Sequence, residues 1–120
     1  MENYKTFSEF IAKKRFDKAI TVRAIAEKIG VSPGYYNDIE KGRRNPPERE
    51  ILEKLIAAFR IGEDERIIFF DLAGKARSEV SPDLPEYIMD NDVVRVALRT
   101  AKEKASTDDW QRFIDDLNKK

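Results

Sequence analysis

A chain of 120 residues with 41% hydrophobic and 38% charged side chains is long enough for a modest core, too apolar for disorder, and suited to amphipathic helices with solvated outer faces. It has no cysteine and no histidine, which excludes a disulfide framework, thiolate chemistry and zinc fingers, and removes the side chain most used for acid–base catalysis near neutral pH. The formal net charge is zero, but residues 1–49 hold 11 Lys and Arg against 7 Asp and Glu, whereas residues 50–120 hold 12 against 16, so the basic surplus sits in the N-terminal part.

Strand signals are nearly absent, while apolar residues recur at spacings of three and four along the chain, so the expected fold class is all-α. Phe7, Phe10, Ile11 and Lys14 mark a first amphipathic helix capped by Thr6 or Ser8 and running to about Phe16, with Asp17, Lys18 and Ala19 as a connection. Thr21 caps a second, two-turn helix that carries Ile25 and Ile29 on one face and stops at Gly30, where glycine takes the left-handed conformation at little cost. Ser32 caps a third helix with Pro33 in its first turn, where a missing N–H costs nothing, and this helix is expected to reach Gly42. Arg43 to Pro47 is a loop, because consecutive prolines forbid helix just before them.

Ile51, Leu52, Leu55, Ile56 and Phe59 define a fourth helix closing near Ile61 and Gly62. A fifth is expected from Glu63 to Ala73 with Ile67, Phe70 and Leu72 inward and acids at its N-terminus, where the helix dipole favours them. From Gly74 to Pro85 the density of Gly, Ser and Pro rises, which places a domain boundary there: 1–76 as the N-terminal domain and 77–120 as a helical extension for dimerisation or partner binding. In that extension Asp90 and Asn91 cap a helix with Val94, Ala97, Leu98 and Ala101 on one face. Ser106 and Asp109 have capping-box spacing ahead of a last helix bearing Trp110, Phe113, Ile114 and Leu117, a stripe too apolar to leave in water. The opening MENYKTFSEF does not read as a signal peptide and no stretch reaches a membrane span, so a cytoplasmic protein is expected.

The informative segment runs from Thr21 to Pro47. Two helices crossing through a tight turn need a small residue at the contact, a glycine in the turn and apolar residues at fixed offsets beyond it. Ala26, Gly30, Val31, Tyr36 and Ile39 meet those demands, and the outer face of the third helix is left free to enter a DNA major groove. The set Ala26, Gly30-Val31-Ser32, Ile39-Glu40, Gly42 and Arg43-Arg44-Asn45-Pro46 resembles the Cro/repressor-type, XRE-like helix-turn-helix family over about residues 5–72.

The resemblance implies a five-helix repressor-like domain and a sequence-specific transcriptional regulator, a repressor acting by site occupancy, with double-stranded DNA as partner. Its implied contact residues are Val22 and Arg23 at the start of the second helix, Ser32, Pro33, Gly34, Tyr35, Asn37 and Asp38 along the third, and Lys41, Arg43, Arg44 and Asn45 after it. Pro33 and Gly34 stand where relatives often place polar base readers, and Val22 replaces a polar residue. Direct readout therefore leans on Asn37, which suits adenine, on Tyr35 and Asp38, and on Arg43 or Arg44, with DNA shape as a further source of specificity. Lys41, Arg43 and Arg44 suit phosphate, as do the amides opening the third helix at Ser32.

Tyr35 and Tyr36 are adjacent and cannot both face inward, which assigns Tyr36 to the core and Tyr35 to DNA. The resemblance also implies that Glu40 pairs with Arg15 of the first helix and does not read a base. Asp108, Asp109, Asp115 and Asp116 read as a helix first turn and a solvated face, so no metal site, cofactor or catalytic residue is expected. Repressor dimers bind two half-sites a helical turn apart, which makes a homodimer the expected assembly, with the C-terminal helices available to a protein partner. Two other readings compete: an antitoxin that represses its own operon while holding a toxin, and an interaction module that has lost DNA binding; an enzyme ranks last.

Overall fold

A computed structural model describes residues 4–120. Met1 to Asn3, which open the stretch read as carrying no signal peptide, lie outside the described residues. The described residues form eight helices and no strand: α1 Phe7–Asp17, α2 Val22–Ile29, α3 Pro33–Glu40, α4 Arg49–Phe59, α5 Glu63–Arg77, α6 Pro85–Met89, α7 Asp92–Lys104 and α8 Thr107–Asn118. They divide into two compact units, one ending at Leu84 and one beginning at Pro85.

In the first unit, polar caps start the helices where neighbours within three residues can supply them. The side-chain oxygens of Thr6, Thr21 and Ser32 accept from the amides of Glu9, Ala24 and Tyr35, each satisfying a donor that the first turn leaves orphaned. Gly30 ends α2 with φ +78°, and Gly42 lies two residues beyond α3 with φ +76°. The third helix thus closes at Glu40, earlier than the glycine suggests. The amide of Gly42 donates to Ile39 O at 3.1 Å and that of Arg43 to Asp38 O at 2.8 Å, a paired closure in which the left-handed residue stands outside the helix.

The core gathers Phe7, Phe10 and Ile11 of α1, Ile25 and Ile29 of α2, Tyr36 and Ile39 of α3, Leu52, Leu55 and Phe59 of α4, and Phe69 and Phe70 of α5, all fully buried. Phe69 is its hinge, with ring centroids 5.2 Å from Phe7, 5.6 Å from Phe10 and 5.5 Å from Phe70. Inward placement of Phe69 corrects the expectation for Ile67, which is 64% exposed: two residues back along a helix is about 200° around its axis, so the helix cannot bury both. Phe70 and Leu72 are buried as the spacing predicts.

Two helix ends differ from their sequence signals. The fourth helix stops at Arg60, which itself takes the left-handed conformation (φ +53°), and Gly62 serves instead as the residue before α5. The fifth helix continues through Gly74 to Arg77 because the chain beyond it folds back: a Cβ on Gly74 would lie 2.9 Å from Glu79 O and from Ser81 N. Ser81 Oγ also hydrogen-bonds Asp71. Residues 78–84 therefore pack as part of the first unit, and the boundary falls at Leu84 where composition placed it at 76.

The second unit holds α6, α7 and α8. Asn91 Oδ1 caps α7 through the amides of Val93 and Val94, Ser106 and Asp109 form the capping box that opens α8, and Arg95 donates to Ile88 O at 2.9 Å, tying α7 to α6.

Candidate nucleic-acid interface

Helix α2 packs on α3 and α4, and α1 packs on α3 and α5, so α3 is held from two sides by its inner face. Tyr36 and Ile39 supply that face and are fully buried, whereas Ser32, Pro33, Gly34, Lys41, Arg43, Arg44 and Asn45 are exposed and Tyr35, Asn37 and Asp38 half-buried. Arg23 is exposed at the start of α2; Val22 beside it is half-buried and, like Tyr35, packs partly against the core.

Below this surface lies a partly buried ion pair. Glu40, 7% exposed, accepts from Arg15 Nε at 2.8 Å, from Arg15 Nη2 at 3.0 Å and from the Tyr36 hydroxyl at 3.0 Å, while Arg15 Nη1 donates to Ile20 O at 3.0 Å. The bidentate fork satisfies both carboxylate oxygens, as a buried charge requires. Its hydrogen bonds to Glu40 raise the Arg15 pKa further, and burial, reinforced by the neighbouring carboxylate, pushes the Tyr36 phenol far above its ordinary value. Glu40 is thus committed to structure. The family resemblance implies the Arg15 pair but not the Tyr36 hydroxyl, whose i, i+4 spacing from Glu40 on one helix is a usable signal.

The basic loop is shaped by two contacts remote in sequence. Ser8 Oγ donates to Ile39 O at 2.8 Å and fixes the end of α3. Arg77 Nη1 donates to Pro46 O at 2.6 Å, and Pro46 and Pro47 are buried. Gly42 then turns the chain so that Arg43 and Arg44 lie back along α3. The Arg44 guanidinium sits 5.1 Å from the centroid of the Tyr35 ring, and Arg43 Nη1 lies 3.5 Å from Asp38 Oδ1. The Arg44–Tyr35 contact lies within cation–π range, whereas the longer, exposed Arg43–Asp38 contact is weak. Ser8 and Arg77 carry no sequence signal, since each acts on a residue 31 positions away.

The start of α3 offers less to a phosphate than its amide count suggests. Pro33 has no N–H, Tyr35 N is engaged by Ser32 Oγ at 3.1 Å and Tyr36 N by Ser32 O at 3.1 Å, which leaves the Gly34 amide in the first turn. A Cβ on Gly34 would meet nothing within 4 Å, so a ligand can approach the backbone closely there.

The surface that results combines a shallow helix face, one stacked arginine, one loosely paired arginine and a free amide. Residues 11–66 match a family model described as helix-turn-helix. No curated protein matches the chain. Among solved structures, one titled SinR protein/SinI protein complex is similar at 20% identity and a TM-score of 0.45, covering 94% of this chain and 95% of that one.

Proposed function

We propose that the chain, whose residues 11–66 match a helix-turn-helix family model, is a cytoplasmic, non-enzymatic transcriptional regulator of the Cro/repressor type that binds a specific double-stranded DNA site as a homodimer and represses by occupying it. The reading rests on one observation: α3 buries Tyr36 and Ile39 and turns its other side, together with the 41–45 loop, to solvent.

In this reading α3 enters the major groove at Gly34, where the missing side chain lets the backbone come close. Asn37 and the stacked Arg44 contact base edges, an amide fork suiting adenine and a guanidinium fork suiting guanine. Tyr35 and Asp38 line the same face. Lys41, Arg43 and Asn45, with Arg23 and the amides of Val22 and Gly34, hold phosphates and set register. Two copies would read two half-sites about one helical turn apart.

Selection of bound sequences from random duplex DNA tests the proposal. A short consensus with two-fold symmetry is expected; enrichment of no sequence at low salt, where phosphate contacts are strongest, would refute it.

A further inference from the structure

Asp38 holds the most forward place on α3 and carries the wrong sign for a surface that meets phosphate. Tyr36, Ile39 and Glu40 are buried and mark the inner side of the helix. At about 3.6 residues per turn, Gly34 and Asp38 lie about 160° around the axis from that side, whereas Tyr35 and Asn37 lie only about 100° from it. The middle of the outward face is therefore a glycine followed, one turn later, by a carboxylate.

Three features fit that carboxylate to a base edge. An aspartate side chain is short and reaches a base only if the backbone comes close; Gly34, one turn earlier on the same face, carries no side chain to hold the helix off, and the space around it is open to 4 Å. The Asp38 side chain is 39% exposed, and Arg43 Nη1 lies 3.5 Å from its Oδ1, which leaves Oδ2 as an acceptor and offsets part of the repulsion from phosphates. The backbone beneath is fixed, since Asp38 O accepts from the Arg43 amide at 2.8 Å.

Which base it suits follows from what an ionised carboxylate lacks: it accepts and cannot donate. Guanine and thymine show only acceptors in the major groove and repel it. Adenine sets its amino donor beside the N7 acceptor, a pattern that suits the carboxamide of Asn37. Cytosine shows the N4 amino donor with no acceptor of its own beside it.

We infer that Asp38 is the cytosine-reading residue of this chain, accepting from the N4 amino group through Oδ2, with Gly34 as the gap that admits the base pair and Arg43 as the cation that lets a carboxylate enter the groove. The inference rests on the DNA-binding reading above and deepens it: one position of the stretch that a single copy reads is cytosine, selected by repulsion of guanine and thymine as well as by attraction.

The test compares the sequences that the parent chain, Asp38→Ala and Asp38→Asn select from random duplex DNA, with circular dichroism melts to show that each is folded. The parent is expected to hold cytosine at one position. Asp38→Ala should keep the rest of the consensus and lose that preference, and Asp38→Asn should shift it toward adenine, because a carboxamide both donates and accepts. In the parent's selected site, that cytosine is then replaced by 2-pyrimidinone, which pairs with guanine but lacks the 4-amino group. The parent should bind this duplex about tenfold more weakly and Asp38→Ala less than about twofold more weakly, a comparison in which any weakening of the duplex itself cancels. An Asp38→Ala consensus that keeps the cytosine, a parent indifferent to loss of the amino group, or an Asp38→Ala variant weakened equally on all duplexes would each overturn the inference and leave the DNA-binding reading standing. A parent that enriches no sequence overturns both.

Discussion

Glu40→Ala removes the carboxylate on which three hydrogen bonds converge, two from Arg15 and one from the Tyr36 hydroxyl. The loss strands two groups. The hydroxyl, fully buried, is left without an acceptor, a defect of about 1–3 kcal/mol. The guanidinium loses its counter-charge; breaking a buried pair costs about 3–5 kcal/mol, but the Arg15 side chain is 23% exposed and can rehydrate, which moves the expected cost toward the lower end. The two contributions overlap, so the expected loss is about 3 kcal/mol, a large part of the roughly 5–15 kcal/mol that holds a domain together. For a domain of this size that lowers the melting temperature by about 12–24 °C. Urea unfolding followed by circular dichroism reads the free energy directly. Glu40→Leu combined with Arg15→Met should recover much of it, because neither charge then remains to be solvated. If Glu40→Ala cost less than about 1 kcal/mol, the carboxylate would not be the organising group, and the account of α3 being locked onto α1 through it would fail.

Replacing Arg43 and Arg44 together by alanine should leave helicity unchanged and weaken DNA binding; with Arg43 on phosphate and Arg44 on a base, the slope of affinity against salt falls by roughly 0.9, and an unaltered titration would deny their role. Gly74→Ala gains about 1 kcal/mol of helix propensity but forces a methyl within 2.9 Å of two backbone atoms, so thermal unfolding should show a net loss of about 1–2 kcal/mol. The Tyr36 phenol has a folded pKa raised above its unfolded value of about 10, so its contribution is complete below pH 10 and is lost as pH rises beyond it. Stability measured across alkaline pH should fall there more steeply in the parent than in Tyr36→Phe. Arg77→Ala releases the Pro46 carbonyl; the unfolding free energy should fall by about 1 kcal/mol, and the selected DNA consensus should become less sharp at the positions read by the loop.

What the sequence made legible tracks the distance over which each feature is decided. The caps at Thr6, Thr21, Ser32, Asn91 and Ser106 depend on an amide two or three residues away, and each is found where its residue type indicates. The inner face of α3 was legible for the same reason: Tyr36 and Ile39 are three apart, and the adjacent Tyr35 is excluded from the same side. Ends decided by tertiary contact were not. Gly74 has the composition of a helix breaker, yet it sits inside α5 because residues 79–81 need the space a side chain would take. Arg60 turns left-handed one residue beyond α4 without being glycine, between the buried Phe59 and Ile61. In the candidate site the residue types could be read, but the stacking of Arg44 on Tyr35 could not, because it joins positions nine apart through a turn whose direction is set by Gly42 and anchored by Ser8 and Arg77.

The consequence bears on where specificity resides. A helix that opens with proline and glycine presents no side-chain donor or acceptor in its first two positions, so in the proposed function base recognition falls to the middle of α3 and to the loop beyond it. A loop serves that purpose only if it is rigid, since ordering a free arginine at the moment of binding costs about 0.5–1.5 kcal/mol of side-chain freedom. Here part of the ordering is built in: two buried prolines limit the backbone, the Arg77 bond fixes Pro46, the left-handed Gly42 sets the direction of the chain, and the Tyr35 ring lies against the Arg44 guanidinium. Tyr35→Phe keeps that ring and Tyr35→Ala removes it. If Arg44 reads guanine from a fixed position, the first change leaves the preferred base at that position intact and the second erodes it, with a smaller effect on non-specific affinity because the charge itself is unchanged.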